Sequence, residues 1–164
     1  IEMIRLKTAV LVGCALQMGA IIAKASEQYQ KFIYDFGIQL GLAFQLQDDY
    51  LDTFGDQATF GKKIGGDILE DKKTILYFLA LKGSDKEQAN ELRSLLGGNN
   101  ILKKEEKINR VKTLFENTSA KSATQNLIKY HSNLADVELE KLRINKEQKS
   151  RFRDLKNWLI NRTY

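Results

Sequence analysis

Three carboxylates stand at positions i, i+1 and i+4 in the run Gly41-Leu-Ala-Phe-Gln-Leu-Gln-Asp-Asp-Tyr-Leu-Asp52: Asp48, Asp49 and Asp52. At about 100° per residue along a helix, Gly41, Gln45, Asp48, Asp49 and Asp52 share one arc roughly 100° wide. The rest of the circumference is apolar, with Leu40, Leu42, Ala43, Phe44, Leu46, Tyr50 and Leu51. A helix that is apolar nearly all round is a buried one. Like charges this close in partly desolvated surroundings repel and raise one another's pKa values. A divalent cation removes that cost. Oxygen-only ligands favour Mg²⁺, which usually bridges one or two carboxylates to the phosphates of a substrate. A capping cluster or a solvated acidic face would also gather acids, but this stripe lies in the middle of an apolar run.

Other residues could act on the same chemistry. Lys7-Thr8 offers an ammonium and a hydroxyl to an anion, although a capping threonine beside a surface lysine accounts for the pair equally well. Gly61-Lys62-Lys63-Ile64-Gly65-Gly66-Asp67 is a basic, glycine-rich loop suited to phosphate. It is not a P-loop: no Ser or Thr follows Lys62, and the loop follows a helix rather than a strand. Lys72 and Lys73 come next, before Thr74. Asp67 has a plainer explanation too, as an acid favoured at a helix N-terminus. His131 lacks an acidic or cysteine partner at ligand spacing and reads as structural or surface.

The elements that must carry these residues are helices. The 164 residues include no proline, are 43% hydrophobic, and suffice for one domain with a real core. The pattern predicts helices at 2–24, 27–52, 67–82, a span ending at Gly97-Gly98, then 102–116, 119–143 and 146–162. Ser84-Asp85-Lys86-Glu87 reads as the capping box of the fourth of these. The expected architecture is therefore all-α, a single helical unit over 1–164. The apolar run Ala9–Ala23 spans roughly 22 Å as a helix, short of the ~20 residues a bilayer needs, and reads as a core helix rather than a membrane span.

Charge is uneven. Residues 1–81 carry 8 Lys/Arg against 10 Asp/Glu, while residues 82–164 carry 18 against 11. The basic half mixes its signs along helical faces, as in Lys103-Lys104-Glu105-Glu106-Lys107, which describes a solvated surface. It has neither an aromatic–basic platform nor a recognition-helix pattern, so no nucleic-acid partner is expected. One cysteine, Cys14, excludes an internal disulfide framework and fits a reducing cytoplasm.

With these pieces in order, the chain resembles the C-terminal part of a trans-type isoprenyl (polyprenyl) diphosphate synthase, an isoprenoid-synthase-type helical bundle. Phe44-Gln45-Leu46-Gln47-Asp48-Asp49-Tyr50-Leu51-Asp52 resembles the family's second aspartate-rich motif, Lys7-Thr8 its Lys-Thr helix, and Gly61-Lys62, Gly65–Asp67 and Lys72-Lys73-Thr74 the segment after that motif. The resemblance implies that Asp48 leads a Mg²⁺ site with Asp49 and Asp52 in support and Asp67 in the outer shell. It implies that Lys7 and Lys62 hold the allylic diphosphate, that Lys72 lies near the diphosphate sites, and that Thr8 and Gln45 face the reactive end of the allylic chain. The implied reaction is prenyl transfer, in which an allylic diphosphate ionises and isopentenyl diphosphate attacks; the implied assembly is a homodimer. Such enzymes carry two aspartate-rich motifs, and Asp48-Asp49 is the only adjacent Asp pair here. The first motif is expected upstream of Ile1, so the chain is expected to be a piece of a longer enzyme and inactive alone. The alternative is a non-catalytic helical subunit that pairs with a complete synthase.

Overall fold

The computed structural model describes residues 1–56, 64–98 and 101–160. Among them every regular element is helical, in agreement with the all-α expectation. Helix α1 spans Glu2–Ile22, and α2 spans Glu27–Phe54. A single turn, α3, covers Gly66–Leu69. Then follow α4 (Ile75–Gly83), α5 (Lys86–Leu95), α6 (Lys104–Asn117), α7 (Ala120–Glu140) and α8 (Lys146–Ile160). Packing groups these residues into two compact units. Among the described residues the first takes Ile1–Gln47 and 127–160, and the second takes Asp48–Asn126.

In the first unit, α1 and the first part of α2 cross where neither has a side chain of any size. A β-carbon on Gly41 would lie 2.6 Å from the Ala9 α-carbon, and one on Gly37 would lie 2.7 Å from that of Gly13. Two small residues four apart on each helix thus let the backbones touch. Ile33, Phe36, Leu40 and Ala43 are buried on α2, and Phe36 meets Phe152 of α8 edge-to-face at 5.7 Å. His131 of α7 is buried as well, with Nδ1 2.8 Å from Gln39 Oε1, which makes it a structural histidine.

Burial pushes His131 below its ordinary value of 6.5, because the imidazolium loses hydration that one amide oxygen does not replace. The unfolded chain then takes up this proton before the folded one does. Stability from this group is complete above 6.5 and is lost as pH falls from 6.5 towards the lower folded value. Urea unfolding from about pH 7.5 down to pH 5 is therefore expected to show stability falling by up to about 1.4 kcal/mol per pH unit from this proton. His131→Gln is expected to flatten that slope; an unchanged slope would remove His131 as its source.

Helix α1 departs from its expected role. Its small-residue face is covered, with Ile4 and Ala9 buried, but Leu6, Leu11, Met18, Ile21 and Ile22 are exposed. The run is apolar without being a core helix, because only one face meets α2. Its 21 residues are also long and apolar enough, by length and composition, for a membrane span. Arg5–Ala9 form a π-helical turn that the hydrophobic pattern does not announce.

The second unit has its own core: Ile68, Leu76, Tyr77, Ala80, Leu92, Leu95, Leu96, Val111, Leu114, Phe115 and Ala120. The helix expected over 67–82 is instead two helices. Asp71 takes a left-handed conformation at φ 54°, and 72–74 are non-helical before α4 begins at Ile75. The cap of α5 is also shifted by one residue. Asp85 accepts from the Gln88 N–H at 2.8 Å while Gln88 Oε1 accepts from the Asp85 N–H at 3.2 Å. Ser84 instead donates to the Leu81 carbonyl at 3.0 Å, ending α4.

Candidate metal and diphosphate site

In the first unit the crossing of α1 and α2 sets Thr8 beside Gln45. Gly41 lies one turn before Gln45, and Ala9 directly follows Thr8, so the close approach at Ala9–Gly41 delivers the pair. Thr8 Oγ1 donates to Gln45 Oε1 at 2.9 Å. The two residues expected to share a role are thus brought together across 37 positions of sequence. Thr8 and Lys7 both sit in the π-helical turn, a distortion that recurs at functional sites. Lys7 is exposed and Thr8 half-buried.

In the second unit the last two turns of α2 carry Asp48, Asp49 and Asp52, which lie on one stripe by helical geometry. Asp49 is buried, and Asp48 and Asp52 are half-buried. Asp52 closes the following loop back onto the helix. Its carbonyl accepts the Gly65 N–H at 2.6 Å, and its Oδ2 accepts the Asp67 N–H at 2.9 Å. Gly65 has φ 84°, and a β-carbon there would lie 2.8 Å from Ile108 Cδ1, so conformation and space both call for glycine. Burial raises the Asp52 carboxyl above the ordinary carboxylate value, against the Asp67 N–H that favours its anion; the neighbouring charges of Asp67 and Asp48 raise it further. Local positive charge would restore the carboxylate.

Asp67 itself stands at the start of α3, where Lys72 Nζ reaches its Oδ1 at 2.8 Å and Glu70 Oε2 at 2.9 Å. Those two carboxylates, Asp67 first, hold the Lys72 ammonium well above its usual value. Lys72 remains half in water, so its charge is available to an anion. Lys62 lies outside the described residues.

No three His, Cys, Asp or Glu side chains converge into a ready-made metal cage among the described residues. The donor set still suits a hard divalent ion. All its atoms are carboxylate oxygens, and Mg²⁺ needs only one or two of these when phosphate oxygens and waters complete its octahedron. The arrangement can therefore hold a cation and a polyphosphate together, with lysine charge next to the aspartates.

Sequence reasoning missed two features of this region. One is the cluster beyond Asp52: Tyr50 stacks on Phe54 at 5.4 Å, Gln125 donates to the Tyr50 hydroxyl at 2.9 Å, and the Lys121 ammonium lies 4.6 Å from the Phe54 ring centre. The other is Lys107, which the mixed-charge run Lys103–Lys107 puts on a solvated surface but which is buried against Asp71. Its signal was present, since a lysine four residues before Val111 occupies the apolar stripe of α6.

Known proteins resemble the chain as follows. The polyprenyl synthetase family model matches residues 1–117. The geranylgeranyl diphosphate synthase of Saccharolobus solfataricus is 34% identical over 163 residues, covering 99% of this chain and 48% of that protein. A crystal structure of a geranylgeranyl pyrophosphate synthase has TM-score 0.88 and 46% identity, over 99% of this chain and 50% of that one. The Corynebacterium glutamicum geranylgeranyl pyrophosphate synthase, crystallised in complex with isoprenyl diphosphate and magnesium, has TM-score 0.85 and 31% identity, over 96% of this chain and 44% of that one. The chain spans half or less of the length of the curated relatives it matches.

Proposed function

The chain belongs to the polyprenyl synthetase family, and from that premise we propose that it carries the second aspartate-rich side of a prenyltransferase active site. The substrates in this reading are an allylic diphosphate and isopentenyl diphosphate. One observation carries it: three aspartates on one helix, with Asp52 tied to Asp67 and Asp67 to Lys72, set carboxylate and ammonium side by side in a single loop-closed unit.

Asp48, with Asp49 and Asp52 in support and Asp67 outside them, would hold Mg²⁺. When bound, the cation supplies positive charge to the diphosphate oxygens and eases departure of that group. Lys7 and Lys62 would hold the allylic diphosphate, and Lys72 would serve the diphosphates next to the aspartates. The attraction of these lysines grows as negative charge concentrates on the leaving group, so it stabilises the transition state more than the bound substrate. The Thr8–Gln45 pair offers fixed oxygen dipoles to the allylic carbon as positive charge develops there; the hydroxyl proton is spent on Gln45, which leaves the Thr8 lone pairs for the cationic end.

The same proposal takes the assembly to be a homodimer in the cytoplasm. The exposed apolar residues of α1 support a protein surface against them, and the lone cysteine supports a reducing compartment.

A condensation assay on the 164-residue chain tests the division of labour. With a single adjacent Asp pair in the sequence, the chain is expected to give no turnover with Mg²⁺ and both diphosphates. A synthase containing these residues together with another aspartate-rich motif is expected to turn over. Normal rates from the 164 residues alone would refute the assignment of half a site.

A further inference from the structure

Lys107 is a cation inside the apolar seam of α6, with Val111, Leu114 and Phe115 following it on the buried face. Its side chain is 9% exposed, and its ammonium donates to Asp71 Oδ1 at 2.7 Å. Asp71 is the residue at φ 54°, a left-handed conformation that a side chain disfavours, and it sits where α3 ends and the chain turns back. The turn depends on two backbone bonds, from the Asp71 N–H to the Ile68 carbonyl at 3.2 Å and from the Lys72 N–H to the Asp67 carbonyl at 2.9 Å. The second bond brings the Lys72 side chain over Asp67.

The Lys72–Asp67 ion pair cannot hold that turn by itself. Lys72 is half exposed, and exposed pairs of this kind contribute little. The Lys107–Asp71 pair is much less exposed, and losing one partner of such a pair leaves a charge stranded. Next to Lys107, Ile108 fills the space over Gly65 at the other end of the same segment. Adjacent residues of α6 therefore pin both ends of Gly65–Lys72, with Asp67 between them.

We infer that Lys107 is a positioning residue of the site: through Asp71 it holds the left-handed turn that sets Lys72 against Asp67. This rests on the proposed diphosphate site, and concerns which residue outside that site fixes its geometry. Lys107 has Asp71 as its partner and acts through that residue.

Amide hydrogen exchange on the full 164-residue chain, followed by NMR, tests the inference directly. Lys107→Met keeps the stem and removes the charge. It is expected to speed exchange at the Asp71 and Lys72 amides about tenfold or more, and to leave α5 and α7 within about twofold of wild type. Lys107→Arg is expected to restore protection. Asp71→Asn, which tolerates the left-handed conformation, carries the same expectation should Lys107→Met fail to fold. In parallel, calorimetry with inorganic pyrophosphate and Mg²⁺ is expected to show binding weakened about fivefold or more in Lys107→Met and recovered in Lys107→Arg. Unchanged exchange, acceleration spread evenly over the unit, or local acceleration with unaltered pyrophosphate affinity would each overturn the inference. If the wild-type chain binds no pyrophosphate, the site reading falls and with it the positioning role in binding; unchanged exchange beside normal wild-type binding removes Lys107 alone.

Discussion

Asp48→Ala is expected to abolish Mg²⁺-dependent binding of inorganic pyrophosphate while leaving the fold nearly intact. Of the three acids on the stripe, Asp49 is the most buried and Asp52 is tied to the Asp67 N–H, so replacing either mixes a structural loss with a loss of binding. Asp48 is half-buried and leads the proposed metal set, so it is the acid to replace. Calorimetric titration should show affinity lower by at least about 100-fold, since a carboxylate removed from a cation site takes with it the charge that makes the site bind. In an active synthase that includes these residues, kcat/KM should fall by about 10²–10³, the scale for deleting one element of transition-state charge stabilisation. Urea unfolding should move by about 1 kcal/mol or less, the middle of the range for single substitutions. Wild-type affinity in Asp48→Ala would remove it from the metal set. A large drop in stability would make the stripe structural instead.

Gly41→Ala is expected to destabilise the chain by about 2–3 kcal/mol, although alanine is the better helix former by about 1 kcal/mol. The decisive quantity is the 2.6 Å from the added β-carbon to the Ala9 α-carbon. That atom is backbone, so no rotamer change relieves the clash and the two helices must part. Gly19→Ala on α1 supplies the contrast. Nothing lies within 4 Å of its β-carbon, so the same substitution should stabilise by about 0.5–1 kcal/mol. The sign difference, measured by urea unfolding of both variants, separates packing from propensity. Parting the helices should also pull Thr8 from Gln45, one turn beyond the contact. Two stabilising substitutions would mean that the backbones do not meet at Ala9.

The acidic stripe was legible because helical periodicity is local. Asp48, Asp49 and Asp52 share a face whatever the helix packs against, and the absence of proline lets that helix run 28 residues without a break. Family membership was legible for the same reason, since its motifs are short and contiguous. The Thr8–Gln45 pair was legible only as two separate residues. Their meeting required a crossing made possible by Ala9, Gly13, Gly37 and Gly41, partners that periodicity does not pair.

What the tertiary structure alone decided is where helices stop and which faces are covered. The pattern of 67–82 supports a continuous helix, yet the chain breaks at Asp71, held by Lys107 from 36 residues away. A long-range ion pair and the packing of Ile108 over Gly65 outweigh a local preference of well under 1 kcal/mol per residue. The apolar run of α1 likewise promises burial without naming what would cover it; only Ile4, Ala9 and Gly13 meet that promise, and Leu11 and Ile22 remain in the open. Side-chain chemistry and spacing determined the stripe, because both belong to one helix. The turn that serves it belongs to two, and sequence carries no record of which two helices touch.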